Sequence, residues 1–229
     1  MARRIAIGVS LVVAYGFVSS LLHYVVFPEP LPDASDLPRS GTTVANPVIR
    51  SKFVYRETFI ETAGRTFEWD NFVEPGGGPI GIPHAHPHNR ETFRVIDGEI
   101  RFVIDGEEHV ARAGDEVVAE PGMVHAFQNP SEKPAYMISK FEPADDGPWE
   151  DLAREGLLLD SQFVQIGRVG GMGAASPIQM IVFGSRFTTV GNLAGPPIWL
   201  QKAVAFLVAP TARLFGVRAY YPPPREPRG

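Results

Sequence analysis

GPIGIPHAHPHNRETFRVIDG, residues Gly78 to Gly98, places three histidines and a glutamate within the eight residues from His84 to Glu91. In an extended strand, residues two apart share a face, so His84 and His86 project together. Glu91 can join them from the next strand, across the loop His88-Asn89-Arg90. Two imidazoles and a carboxylate on one face form a donor set suited to iron(II), manganese, nickel or zinc, with positions left open for substrate or dioxygen. A second Gly-bounded segment, GDEVVAEPGMVHAFQN from Gly114 to Asn129, offers His125 as a fourth donor. For any one of these histidines alone, a surface position in a polar loop is the competing reading.

The flanks of this stretch alternate with a period of two. Lys52 to Ile60 and Arg65 to Trp69 are rich in aromatic and β-branched residues and read as strands. Thr92 to Ile96 and Arg101 to Ile104 flank Asp97-Gly98, a dipeptide suited to a tight hairpin turn. A second pair, Asp105-Gly106, opens a turn into Glu108 to Arg112, and Ala113-Gly114-Asp115 a third. Glu116 to Glu120, Val124 to Gln128 and Ala135 to Phe141 complete the strand series. Strands this short, separated by frequent turn signals and no helical crossover, predict a small antiparallel barrel or sandwich.

The two Gly-bounded segments together resemble the cupin superfamily. Its first motif is a Gly, five residues, His-x-His, four residues, Glu, six residues and Gly, met at Gly78, His84, His86, Glu91 and Gly98 without insertion. The second is a Gly, five residues, Pro-x-Gly, two residues, His, three residues and Asn, met at Gly114, Gly122, His125 and Asn129. Glu120 stands in its proline position, with Pro121 beside it, a departure that alters a turn and not the donors. Fifteen residues separate Gly98 from Gly114, close to the family's shortest spacing. The resemblance covers about Phe53 to Phe141. It implies a mainly β, double-stranded β-helix barrel (jelly roll) with His84, His86, Glu91 and His125 as ligands of a divalent transition metal, iron, manganese, nickel or zinc. Gly98, Gly114 and Gly122 would be turn glycines. The family includes oxygenases, isomerases, decarboxylases, sensing domains and storage proteins, so the resemblance leaves the reaction open.

The substrate cavity of such a barrel is its interior. Alternation from Glu91 turns Phe93 and Val95 inward, and alternation from His125 turns Phe127 inward, which suits a largely apolar substrate with one polar group at the metal. The competing reading is that these three fill the core. His88 extends the run to HAHPH without matching a ligand position, as a mouth residue or a solvated one.

Outside the barrel the composition changes. Arg3 and Arg4 precede Ile5 to Phe27, an uncharged stretch of 23 residues. As a helix this would span roughly 35 Å, enough to cross a hydrocarbon core. A signal anchor, a cleaved signal peptide and a helix packed on the domain are the three readings. The anchor is preferred, because Phe27-Pro28-Glu29-Pro30 follows in place of a small-x-small cleavage site. The paired arginines before the span predict a single-pass membrane protein with its barrel outside the cytoplasm. Residues 28–47 carry five prolines and read as a linker, and residues 48–143 as the barrel. Residues 144–221 read as a helical extension, with helical spacing in Trp149 to Leu159 and Ile198 to Phe215, and Pro177 to Arg186 either helix or strand. Covering the barrel is the preferred role of Ile198 to Phe215; a homodimer contact and a membrane-surface position compete with it. Residues 222–229 read as a tail.

Composition excludes several chemistries. The absence of cysteine removes thiolate nucleophiles, Cys-ligated zinc, iron–sulfur clusters and disulfides. A net charge of −5 with interspersed signs disfavours nucleic acid as a partner. Two functional classes remain. One is a metal-dependent enzyme of the oxygenase or isomerase type acting on a small molecule. The other is a membrane-tethered cupin module that binds metal or a small ligand without turnover.

Overall fold

The strand pattern of the sequence resolves into two facing antiparallel sheets. The computed structural model describes residues 2–26, 28, 38–46, 49–79, 81–144, 177–185 and 191–219. The chain is mainly β, with helices at both ends, as expected. β1 (Thr43–Asn46), β2 (Ser51–Glu57), β3 (Phe67–Val73), β10 (Ala135–Pro143), β5 (Asn89–Asp97) and β8 (Glu116–Ala119) form one sheet in that order. The other runs β11 (Asn192–Leu193), β4 (His84–Ala85), β9 (His125–Gln128), β6 (Glu99–Ile104), β7 (Glu107–Arg112).

Alternation decides what each strand buries. On β3, Phe67, Trp69, Asn71 and Val73 turn inward; on β5, Asn89, Glu91, Phe93 and Val95 do. The registers join these residues into rows across the sheet, such as Phe53, Asn71, Met137, Val95 and Tyr55, Trp69, Ser139, Phe93. Val95, Ile100, Phe102 and Met137 are fully buried in the centre of the barrel. A second cluster, Phe53, Tyr55, Phe59, Phe67, Trp69 and Phe141, continues along the first sheet.

The turn at Asp97-Gly98 differs from the expected hairpin. β5 pairs with β10 and β8, whereas β6 pairs with β7 and β9, so the chain changes sheets at Gly98. Gly98 has φ +78°, and a Cβ there would stand 3.0 Å from that of Ala135, so the crossing needs glycine sterically as well as conformationally. The tight hairpin is the next pair, Asp105-Gly106, which joins β6 to β7 with φ +50° and +88°. Positive φ at both central residues is the twist that suits a two-residue hairpin.

β1 lies inside the stretch read as linker. Val44 and Asn46 are buried, and the strand pairs antiparallel with β2. Its Thr-Val-Ala-Asn alternation is too short to outweigh the surrounding prolines in a reading by composition. The remaining helical expectation at Trp149 to Leu159, half of the linker and the tail lie outside the described residues.

Three helices complete the description: α1 (Ala2–Leu21), α2 (Pro177–Gly184) and α3 (Ile198–Leu214). A short π-helical turn, Leu22–Val26, follows α1. Pro177 to Arg186, read as helix or strand, is therefore helical through Gly184. α2 and α3 pack through Val182, Phe183, Ala209 and Ala212. The small alanines on α3 let the two backbones approach. β11 pairs with β4 and thereby ties the C-terminal segment to the histidine strand. Gln201 of α3 holds that junction, its Nε2 donating to the carbonyls of Leu193 (2.9 Å) and Pro196 (2.7 Å).

α1 is apolar and long enough to cross a membrane by length and composition. Ile5, Leu11 and Phe17 on it are exposed. One face rests on α3: the Tyr15 hydroxyl donates to the Leu207 carbonyl and lies 3.0 Å from Thr211 Oγ1, and Ser19 Oγ donates to the Phe206 carbonyl at 2.7 Å.

Candidate metal centre

Four side chains from both sheets converge at one end of the barrel. His84 and His125 are cross-strand neighbours on β4 and β9, with ring centroids 4.6 Å apart. His86 follows β4, and its ring meets Phe141 edge-on at 4.6 Å. Glu91 reaches across from β5 in the opposite sheet, paired there with Phe141 and Ala119. One potential ligand atom from each of the four lies within 4.8 Å of every other. His86, Glu91 and His125 are buried, and His84 is partly so.

Backbone carbonyls set the orientation of two rings. His84 Nδ1 is 3.0 Å from the Ile82 carbonyl oxygen, and His125 Nδ1 is 3.1 Å from that of Met123. A carbonyl oxygen only accepts, so both Nδ1 atoms carry the proton and the Nε2 atoms are the ones available to a ligand. Glu91 Oε2 lies 2.9 Å from His125 Nε2 and 3.2 Å from His86 Nε2. In a neutral His125 this contact would set a lone pair against a carboxylate. A cation, either a proton or a metal ion, must stand between them.

The electrostatics agree with that requirement. Burial alone would raise the Glu91 pKa, but hydrogen bonds and charge from His125 and His86 outweigh it and hold the carboxyl well below the usual carboxylate range. For His125, burial is opposed by the hydrogen bond and charge of Glu91, and the net effect is a pKa above its ordinary value. His84 goes the other way: burial and the charges of His86 and His125 push it down to about 3, so it is neutral at pH 7. Three nitrogen donors and one anionic oxygen, two of the rings held by carbonyls, suit a divalent transition metal by donor type and by outer contacts.

Beside this cluster lies a cavity of about 600 Å³. His84, His86 and Glu91 reach it, as does Phe127. Its walls are overwhelmingly apolar, from Phe53, Phe67 and Trp69 on the sheet and from Met180, Leu200 and Val204 on the two C-terminal helices. Phe93 and Val95 do not line it; they are fully buried in the central core, where the row geometry sets them deeper than Glu91. His88 is exposed and lies outside the described lining.

Alternation from the ligands could not find the cavity's outer wall, because α2 and α3 arrive from a segment more than 30 residues beyond β10. Asn71 was accessible to the same alternation that marked Phe93. It is a polar residue at an inward position of β3, 1% exposed, and it lines the cavity.

Comparison with known proteins places this region. Residues 72–141 match the Cupin_2 family, described as a cupin domain. No curated protein matches the chain. Among solved structures, KdgF from Halomonas sp. is similar at 20% identity over 42% of this chain and 82% of its own, with a TM-score of 0.36. A predicted oxalate decarboxylase from Thermotoga maritima is similar at 16% identity over 50% of this chain and 100% of its own, with a TM-score of 0.41. A cupin-superfamily sugar phosphate isomerase from Silicibacter pomeroyi is similar at 21% identity over 50% of this chain and 76% of its own, with a TM-score of 0.36. The family match spans the chain from the end of β3 into β10 and includes all four converging side chains.

Proposed function

We propose that the protein is a metal-dependent enzyme of the oxygenase or isomerase type, with His84, His86, Glu91 and His125 as ligands of one divalent transition ion. The observation that carries this reading is the 2.9 Å contact between His125 Nε2 and Glu91 Oε2, with Nδ1 of the same ring already committed to the Met123 carbonyl. A bound ion would supply Lewis acidity toward a substrate oxygen, or a centre for activating dioxygen.

The chain's own residues do the rest. Ile82 and Met123 fix two imidazoles through their carbonyls, so little ring motion accompanies binding. Glu91 provides the negative charge that offsets part of the cation's. The apolar wall of Phe67, Trp69 and Phe141 keeps bulk water from the donors and strengthens every charge interaction among them. In the same reading α1 anchors the protein as a single-pass helix, with the barrel outside the cytoplasm.

The test uses the full chain loaded in turn with iron(II), manganese(II), nickel(II) or zinc(II). The loaded protein is incubated with a lipid and metabolite extract, and dioxygen uptake and product masses are followed. Uptake that His86→Ala abolishes identifies an oxygenase; a changed mass profile or isomer ratio without uptake identifies an isomerase-type reaction. Retained metal with no conversion under any ion would favour the non-catalytic binding module.

A further inference from the structure

The cavity has an outer wall that is not part of the barrel, and that wall is shared with the N-terminal helix. Leu200, Val204 and Ala205 of α3 face the cavity. Directly after these on the same helix, Phe206 and Leu207, and one turn later Thr211, receive Ser19 and Tyr15 of α1. Trp199 and Phe215, near the two ends of α3, are 70% and 84% exposed. One helix thus separates the cavity from the chain's candidate membrane span, and it carries large apolar side chains outward at both ends.

Inside the cavity the polar groups are few and unevenly placed. His84, His86 and Glu91 form one group. Asn71 forms another, on β3 of the same sheet as Glu91, with β10 between the two strands, and Asn46, Asn192 and Gln201 are the remaining polar residues of the lining. The Oδ1 of Asn71 is buried and meets no hydrogen-bond donor among the described residues. Buried acceptors are nearly always satisfied, so an unmet one in a ligand-sized cavity marks a place for a donor that comes with the ligand. A volume near 600 Å³ falls within the range of pockets that enclose most of a small molecule.

We propose that the cavity receives a single-tailed amphiphile from the lipid phase, its chain against α2 and α3 and a hydroxyl or amide N–H of its head group donating to Asn71 Oδ1. This rests on the metal-enzyme reading only for what happens at the head group. The chain is recognised by the apolar wall, and selectivity for the head comes from Asn71. A site that leaves a buried acceptor unpaired rejects a ligand lacking the donor, whereas an apolar wall alone discriminates weakly among tails.

The test needs no metal. The full chain, freed of metal with a chelator and held in phosphatidylcholine nanodiscs, is titrated with 1-butanol, 1-hexanol, 1-octanol and 1-chlorooctane. Val204→Arg and Leu200→Gln proteins in the same discs provide the baseline for partition into lipid. Burial favours each added methylene by up to roughly fourfold, so the four extra methylenes of 1-octanol are expected to tighten binding over 1-butanol by about 30- to 250-fold. Both wall variants are expected to lose that gain. Asn71→Leu is expected to weaken 1-octanol about five- to tenfold and to bind 1-chlorooctane, which has no donor, at least as tightly as wild type, since the variant no longer leaves an acceptor unpaired against it. Equal affinity for butanol and octanol, or wall variants that bind octanol as wild type does, overturns the amphiphile. Equal losses for the alcohol and the chloride overturn the role of Asn71. A wild-type chain that holds no metal overturns the enzyme reading and leaves the alkanol series as it was measured.

Discussion

His125 Nε2 lies 2.9 Å from Glu91 Oε2, a contact made between the two sheets of the barrel by residues 34 positions apart. The Nδ1 of the same ring faces the Met123 carbonyl, so the pair is complete only with a positive charge between them. In the metal-free protein that charge is a proton on His125, whose pKa Glu91 raises above 6.5.

Metal binding is therefore expected to release that proton. Below the raised pKa of His125 the ion must displace it, and apparent affinity rises with pH by up to about tenfold per unit. Above that pKa the dependence from His125 disappears. His84, at about 3, is already neutral throughout this range and adds nothing to it. Calorimetry of zinc binding in buffers of different ionisation enthalpy between pH 6 and 8 measures the protons released. A release near zero at the low end of the range contradicts this account of His125.

Core and cavity wall should respond unequally to truncation. Phe93 is fully buried among Phe102 and Phe127, with ring centroids 5.0 and 5.7 Å away. Phe93→Ala is expected to cost about 3–5 kcal/mol of stability. Leu200 is 38% exposed at the cavity's outer wall, and Leu200→Ala is expected to cost under about 1 kcal/mol while weakening apolar ligands. Denaturant melts of the two variants beside wild type make the comparison; similar losses would mean that Leu200 belongs to the load-carrying core.

The legible part of this structure was the part with strict local rules. His84 and His86 sit two apart on an extended segment, and spacing alone was enough to send them to one side. The apolar spacing of Ile198 to Phe215 predicts a helix, and α3 occupies Ile198–Leu214. What spacing could not supply was which strands pair. Asp97-Gly98 looks locally like a hairpin turn, and the sheet change there is decided by β10 taking the place beside β5 that β6 would have had. The same blindness to partners hid β11, two residues whose only signal is their pairing with His84 and Ala85. Phe93 and Val95 share the ligands' side of β5, yet their depth along the strand depends on the opposite sheet.

The N-terminal helix offers a separate test. If α1 spans a bilayer, Tyr15 and Ser19 keep their hydroxyls paired with α3 carbonyls, as polar groups near lipid require, and the exposed Ile5, Leu11 and Phe17 meet acyl chains. Full-length protein is then expected to remain with the membrane pellet after high salt and alkaline carbonate, and to leave it only with detergent. Release by carbonate contradicts the span and favours α1 as a helix packed on the domain.

The central claim is that the four converging side chains bind a metal, and elemental analysis of the purified full chain tests it most directly. After dialysis against metal-free buffer, wild type is expected to retain about one divalent transition ion per chain, while Glu91→Gln and His125→Ala, shown by circular dichroism to keep the β-sheet signal, retain almost none. A wild type that holds no ion after incubation with iron(II), manganese(II), nickel(II) or zinc(II), or folded variants that hold as much as wild type, would contradict it.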